Sequence, residues 1–221
     1  MRAPPRIAPS ILAADLAHLG RDIDVISEYV DLLHVDVMDG HFVPNISLGP
    51  PVIASLSEST DLYLDCHLMI TDPLSYLEPL KKAGAHGVTV HIEAVPNPNP
   101  VAAEARLLGL DFGLVINPPT PVSAVEPYVD LTNLIVVMSV HPGYGGQAFI
   151  EDVLPKIEHL REIIDSRGLS TDIEVDGGVD LRTVGPAREA GADVFVAGTS
   201  VFRADDPVAA VKEIRTILNR E

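Results

Sequence analysis

In the stretch HVDVMDGHFVPN, residues 34–45, alternation along an extended chain sets His34, Asp36 and Met38 on one face and Val35 and Val37 on the other. An imidazole, a carboxylate and a thioether on the face that the valines avoid suit ligation and proton transfer. The run DCHLM repeats the pattern with His67 and Met69 in phase, while Cys66 alternates away and reads as a packed residue. Asp176 closes a third run, and Ser10 and Met138 end two others. A lone buried carboxylate or imidazolium is costly, so these groups need partners or a metal. His34, Asp36, His67 and Asp176 offer nitrogen and oxygen donors suited to a divalent ion. Spacing alone leaves a second reading open, a metal-free network of ion pairs and hydrogen bonds. Met38, Met69 and Met138, each at a strand end, are either core filler or a soft, nearly dry wall beside a reacting group.

The elements that must position these residues recur regularly. β-rich runs occupy 6–12, 32–38, 61–69, 87–93, 111–117, 133–140, 171–178 and 193–200, each followed by a segment able to form a helix. Eight such units in 221 residues predict a closed (β/α)₈ TIM barrel forming one catalytic domain over 1–221, with an open sheet as the alternative. In such a barrel the site lies at the C-terminal ends of the strands, where these polar residues fall. The segment DDPVAAVKEIRTILNRE predicts a helix from Pro207 with Val208, Val211, Ile214 and Leu218 inward. The segment EDVLPKIEHLREIIDSRG, 151–168, predicts another, with Ile157, Leu160 and Ile164 on one face and Gly168 as its stop. The tract VPNPNP, 95–100, reads as a loop after the fourth strand.

Glycine motifs follow three strands. Gly177 and Gly178 end the seventh strand, and Gly198 with Thr199 the eighth, the place where barrels of this fold often bind phosphate through backbone N–H groups. Neither motif holds a Lys or Arg, so a phosphate there depends on amides and on the Thr199 or Ser200 hydroxyl. Tight turns are the competing account of these glycines. HPGYGGQ, with Gly143, Tyr144, Gly145 and Gly146, suits a mobile lid or a plain flexible loop, and it lacks the Lys of a nucleotide-binding P-loop.

The bulk numbers exclude other classes. A net charge of −17 and the absence of a basic stripe argue against nucleic acid, and no apolar run is long enough for a membrane span. The single cysteine excludes an intrachain disulfide and suits a reducing compartment; with no leader pattern, the expected location is cytoplasmic.

The motifs IAPSILAADLAHL, HVDVMDGHFVPNISLGPPVI, CHLMITDP, MSVHPGYGGQAFI, VDGGV and VAGTSVF stand in the order found in ribulose-phosphate 3-epimerases, and the chain resembles that family from about Ile7 to the final helix. The resemblance implies a ribulose-phosphate-binding (β/α)₈ barrel. Its implied reaction is the interconversion of D-ribulose 5-phosphate and D-xylulose 5-phosphate in the pentose phosphate pathway. One divalent ion per subunit, Zn²⁺, Fe²⁺, Mn²⁺ or Co²⁺, and a homo-oligomer, dimer or hexamer, are implied with it. Carried over residue by residue, it implies His34, Asp36, His67 and Asp176 as metal ligands and Asp36 with Asp176 as the acid/base pair. Ser10 and His67 match substrate contacts, Gly143 to Gly146 the lid, and Gly177, Gly178, Gly198 and Thr199 the phosphate segments. The chain departs at His141, where the family usually has Asn or Glu, at Tyr144 for Phe, and at Thr199 for Ser. The first departure bears on lid closure and its pH dependence. The alternatives are an allulose-6-phosphate 3-epimerase and a non-catalytic phosphosugar-binding barrel. A decarboxylase of the same barrel type is disfavoured, because Asp36 is followed by Val37, Met38 and Asp39 with no Lys.

Overall fold

A computed structural model describes residues 4–219; the ends of the expected domain, 1–3 and 220–221, lie outside the described residues. Eight parallel strands form one sheet: β1 (Arg6–Ala8), β2 (Leu32–Met38), β3 (Tyr63–Met69), β4 (Gly87–His91), β5 (Asp111–Ile116), β6 (Leu134–Met138), β7 (Asp172–Asp176) and β8 (Val194–Val196). The hydrogen-bonded order runs β1-β8-β7-β6-β5-β4-β3-β2. The gap between β1 and β2 is joined by a parallel bridge between Ser10 and His34, where His34 N donates to Pro9 O at 3.1 Å. Asp31 N donates to Ile7 O at 3.1 Å just below it. These contacts turn the sheet into the expected barrel.

Seven of the eight strands are shorter than the sequence runs, β1 and β8 most of all. β1 stops at Ala8 because Pro9 has no N–H for a ladder, and a 3₁₀ turn, Ile11–Ala13, follows. Ser10 therefore stands beyond the strand. β8 stops at Val196, and Thr199–Phe202 is a short helix. After β5 no α-helix forms: Pro118, Pro119, Pro121 and Pro127 remove amide donors, and only the 3₁₀ turns Val122–Ala124 and Glu126–Leu131 appear.

Elsewhere the helical punctuation holds. Asp206 caps Pro207–Leu218 by accepting from Ala209 N at 3.0 Å, and Val211, Ile214 and Leu218 are buried while Val208 is half-buried. Gly168 ends Leu154–Arg167 at φ 64°, a left-handed conformation that glycine adopts without Cβ strain. Residues 95–98 are a loop, and the next helix starts inside the tract at Asn99.

Most of the apolar core lies between the strands and the helices, and Leu33, Val35, Val37 and Cys66 belong to it. The opposite faces line the barrel interior. Ala8, Leu32, Val194 and Val196 form a small apolar cluster of their own, with Val194 level with Glu174 and Val196 level with Asp176. The interior has room for only small side chains at β5. A Cβ on Gly113 would stand 2.7 Å from both Leu134 O and Thr89 Cγ2. We expect Gly113→Ala to destabilise the fold by about 1–3 kcal/mol through this overpacking. Denaturant midpoints compared at equal slope check it, and an unchanged midpoint would refute the packing account.

Candidate active site

β2 and β3 are in register over their full length, pairing Asp36 with His67 and Met38 with Met69. That register, with the inward phase of each strand, brings His34 and His67 ring to ring. His34 Nε2 stands 3.2 Å from His67 Nδ1. Asp36 Oδ1 lies 3.7 Å from each of these nitrogens, and Asp176 Oδ2, arriving from β7, lies 3.6 Å from His34 Nε2 and 3.4 Å from His67 Nδ1. The four donor atoms are all within 4.8 Å of one another. Donors held about 2.0–2.2 Å from a tetrahedral ion would be about 3.3–3.6 Å apart, so this spacing fits one divalent cation.

The surroundings fit it too. His34 Nδ1 faces Asp65 Oδ2 at 3.1 Å and Glu174 Oε1 at 3.2 Å, which places a proton at Nδ1 and leaves Nε2 as the nitrogen that would turn to a cation. His67 Nε2 meets His91 Nε2 at 2.8 Å, and His91 Nδ1 meets Glu93 Oε2 at 3.3 Å. Burial lowers the His91 pKa to about 4, which keeps its ring neutral, an acceptor at Nε2 and a donor to Glu93. The same chain turns the lone pair of His67 Nδ1 toward the centre. Glu93, lowered to about 2 against the effect of its burial by its hydrogen bonds to His91, Thr120 and Asn117, anchors the relay.

The cluster demands positive charge. His34, His67 and Glu174 are fully buried, and Asp36, Asp65 and Asp176 are nearly so. Burial alone would lower the His34 pKa, yet the Glu174 and Asp36 carboxylates hold it well above the ordinary histidine value. Burial would raise Asp36, but His34, His67 and the Ser10 hydroxyl bring it below the usual aspartate range. Burial and the neighbouring Asp65 push Glu174 up to about 7.

Asp36 and Asp176 also face outward, into a cleft of about 920 Å³, whereas the two histidines lie beneath it; His34 is at mid-strand, one layer lower than the strand end. Ser10 Oγ donates to Asp36 Oδ2 at 2.5 Å, leaving Oδ1 toward the imidazoles. Met38, Met69 and Met138 all line the cleft, but in two groups: Met38 packs with Met69 and Val43, and Met138 with Val115, Val136 and Val140. Gly143, Tyr144, Gly145, Gly146, Gly177, Gly178, Gly198 and Thr199 complete its upper walls. The loop holding Tyr144 is tied down: Tyr144 Oη donates to Pro44 O at 3.1 Å and Asn45 Nδ2 to Gly143 O at 2.9 Å. Gln147 Nε2 donates to the carbonyls of His141 and Tyr144 at 2.7 and 2.8 Å. Gly178, at φ 63°, would put a Cβ 2.5 Å from Phe149 N, so close backbone packing demands that glycine. Ser200 and Thr199 both line the cleft, and Ser200 Oγ donates to Val179 O at 2.7 Å.

These groups have relatives. A family model for the ribulose-phosphate 3 epimerase family matches residues 6–202. The chain belongs to that family. It is 48% identical over 214 residues to the ribulose-phosphate 3-epimerase of Mycobacterium tuberculosis (strain ATCC 25618 / H37Rv), covering 96% of this chain and 92% of the relative. It is 45% identical to that of Bacillus subtilis (strain 168), covering 95% and 98%. The cytoplasmic isoform of Oryza sativa subsp. japonica is 44% identical, with 96% and 94% covered. Among solved structures, KGPDC from Streptococcus mutans in complex with D-R5P superposes at TM-score 0.76 with 13% identity, covering 98% of each chain. A 3-hexulose-6-phosphate synthase superposes at 0.70 with 21% identity, covering 96% of this chain and 99% of the other, and both likenesses concern the fold alone.

Asp65, Glu174, His91 and Glu93 were not singled out by sequence reasoning. The signal for the first three was the same alternation: Asp65 is in phase with His67, Glu174 with Asp176, and His91 lies inward on β4. If His91 orients His67, then His91→Ala weakens retention of a divalent ion by about 10–100-fold. Competition with a chelator measures this, with circular dichroism as the control for folding; unchanged retention would remove His91 from the supporting shell.

Proposed function

We propose that this family member interconverts D-ribulose 5-phosphate and D-xylulose 5-phosphate in the pentose phosphate pathway, as a cytoplasmic enzyme whose described chain works as one catalytic domain. The observation that carries the reading is the pairing of Asp36 and Asp176. These carboxylates come from different strands, converge on the same two imidazoles and open into the same cleft. Inversion at a carbon beside a ketone requires a proton to leave one face and another to arrive on the opposite face, so two opposed acid/base groups are needed. Binding alone would need no such pair.

His34, Asp36, His67 and Asp176 would hold one divalent ion per subunit, and Zn²⁺, Fe²⁺, Mn²⁺ and Co²⁺ all accept such donors. Bound there, it would supply Lewis-acid stabilisation of the negative charge on the enediolate oxygens. Asp36, held by Ser10, takes or returns the C3 proton on one face, and Asp176 does so on the other; which acts as base depends on the direction of reaction. The thioethers of Met38, Met69 and Met138 border the reacting carbon with polarizable surface and no proton to give. Thr199 and the glycine segments around Gly177, Gly178 and Gly198 receive the phosphate, and the loop around Tyr144 covers the sugar. A homo-oligomer, dimer or hexamer, follows from the family resemblance. Among the described residues no helix is long and apolar enough to cross a membrane.

Incubation with D-ribulose 5-phosphate in D₂O tests the reading: xylulose 5-phosphate carrying deuterium at C3 is expected. Faster turnover of allulose 6-phosphate would reassign the substrate, and binding without exchange would reduce the protein to a carrier. Asp176→Asn should stay folded yet lose about 10²–10⁴-fold in kcat, because an amide cannot shuttle the proton. Near-normal turnover in the folded variant would eliminate the two-base mechanism.

A further inference from the structure

Two arginines line the cleft, and they differ in what holds them. Arg182 is engaged: its Nη2 and Nε donate to Asp180 Oδ2 at 2.8 and 3.2 Å, making a locally neutral pair. Arg203 lines the same cleft, and among the described residues its side chain has no ion-pair partner. Its backbone N–H donates to Thr199 O at 3.1 Å, so it follows Thr199 by one helical turn and leaves the chain on the same flank. Lys156, a further cation near this end of the barrel, is turned to the carbonyls of Asn117 and Thr120 at 3.2 and 2.6 Å.

The rest of the field is hostile to an anion. The chain carries a net charge of −17, and Glu151, Asp36 and Asp176 line the same cleft. A sugar phosphate approaches as a dianion and must enter against that field. Backbone amides and a hydroxyl supply directed donors but no net charge. A guanidinium supplies both, in a planar fork matched to phosphate oxygens.

We propose that Arg203 is a further substrate-binding residue, its guanidinium engaging the phosphate group of the sugar at the mouth of the cleft beside Thr199. The proposal rests on the phosphosugar reading above and adds the charged contact that the glycine motifs lack. Because Arg203 is exposed, salt screens its contribution.

Arg203→Ala and Arg203→Lys test it against the parent enzyme, first in kinetics on D-ribulose 5-phosphate across ionic strengths, then in calorimetric binding of inorganic phosphate. In the alanine variant KM rises about tenfold, the scale of one lost charged hydrogen bond, and the loss falls on KM rather than kcat. Phosphate affinity drops in parallel and the salt dependence of kcat/KM flattens, while lysine restores part of each. A structural role alone would lower thermal stability without changing the salt slope. Equal KM and equal phosphate affinity in parent and alanine variant would overturn the proposal, as would absence of phosphate binding from both. A parent that ignores ribulose 5-phosphate but binds phosphate through Arg203 would sink the epimerase reading and leave this one standing.

Discussion

Burial of charge is the constraint on which this structure depends. Carboxylates from β2, β3 and β7 and imidazoles from β2, β3 and β4 are enclosed in one barrel, where an unpaired charge is strongly disfavoured. Most neighbours of the cluster are arranged to meet that demand, although, among the described residues, both oxygens of Glu174 are buried without a hydrogen-bond partner. Asp65 and Glu174 face the outer nitrogen of His34, His91 and Glu93 complete the surroundings of His67, and Ser10 donates to Asp36. What remains unmatched is negative charge at the centre, which a divalent ion would neutralise.

The barrel meets this demand by dividing its strand faces. Valines and leucines on the outward phase bury against helices and supply most of the apolar core, which frees the inward phase at the upper end for chemistry. A shift of one residue in any of the site strands would exchange its two faces, so strand register serves the reaction and stability at once.

Much of this was legible in residue order. Period-two alternation alone separated His34, Asp36 and Met38 from Val35 and Val37, and His67 from Cys66, because an extended chain has only two faces. The same rule, carried to Asp65 and Glu174, would have revealed the supporting carboxylates. Convergence was not legible: whether Asp176 on β7 meets His67 on β3 depends on barrel closure and tilt, which local spacing does not encode. The expectation of a helix-forming segment after every strand fails after β5, where Pro118, Pro119, Pro121 and Pro127 interrupt the chain. Arg203 escaped notice because it stands outside the glycine motif, one helical turn past Thr199, where only the helix brings it back to the cleft.

The seam between β1 and β2 carries a consequence for assembly. It is joined by backbone hydrogen bonds from His34 N to Pro9 O and from Asp31 N to Ile7 O, and the residues of its bridge, Ser10 and His34, are themselves members of the site. Arg215 of the last helix reaches the same seam, donating to Pro5 O at 2.7 Å and pairing with Asp31, which in turn accepts from Ile7 N. The first and second strands are thus clasped by a side chain from the far end of the polypeptide. The seam beneath the reactive centre thus draws on both ends of the described fold: a chain lacking the Pro207–Leu218 helix would lose the contacts of Arg215 with Pro5 and Asp31.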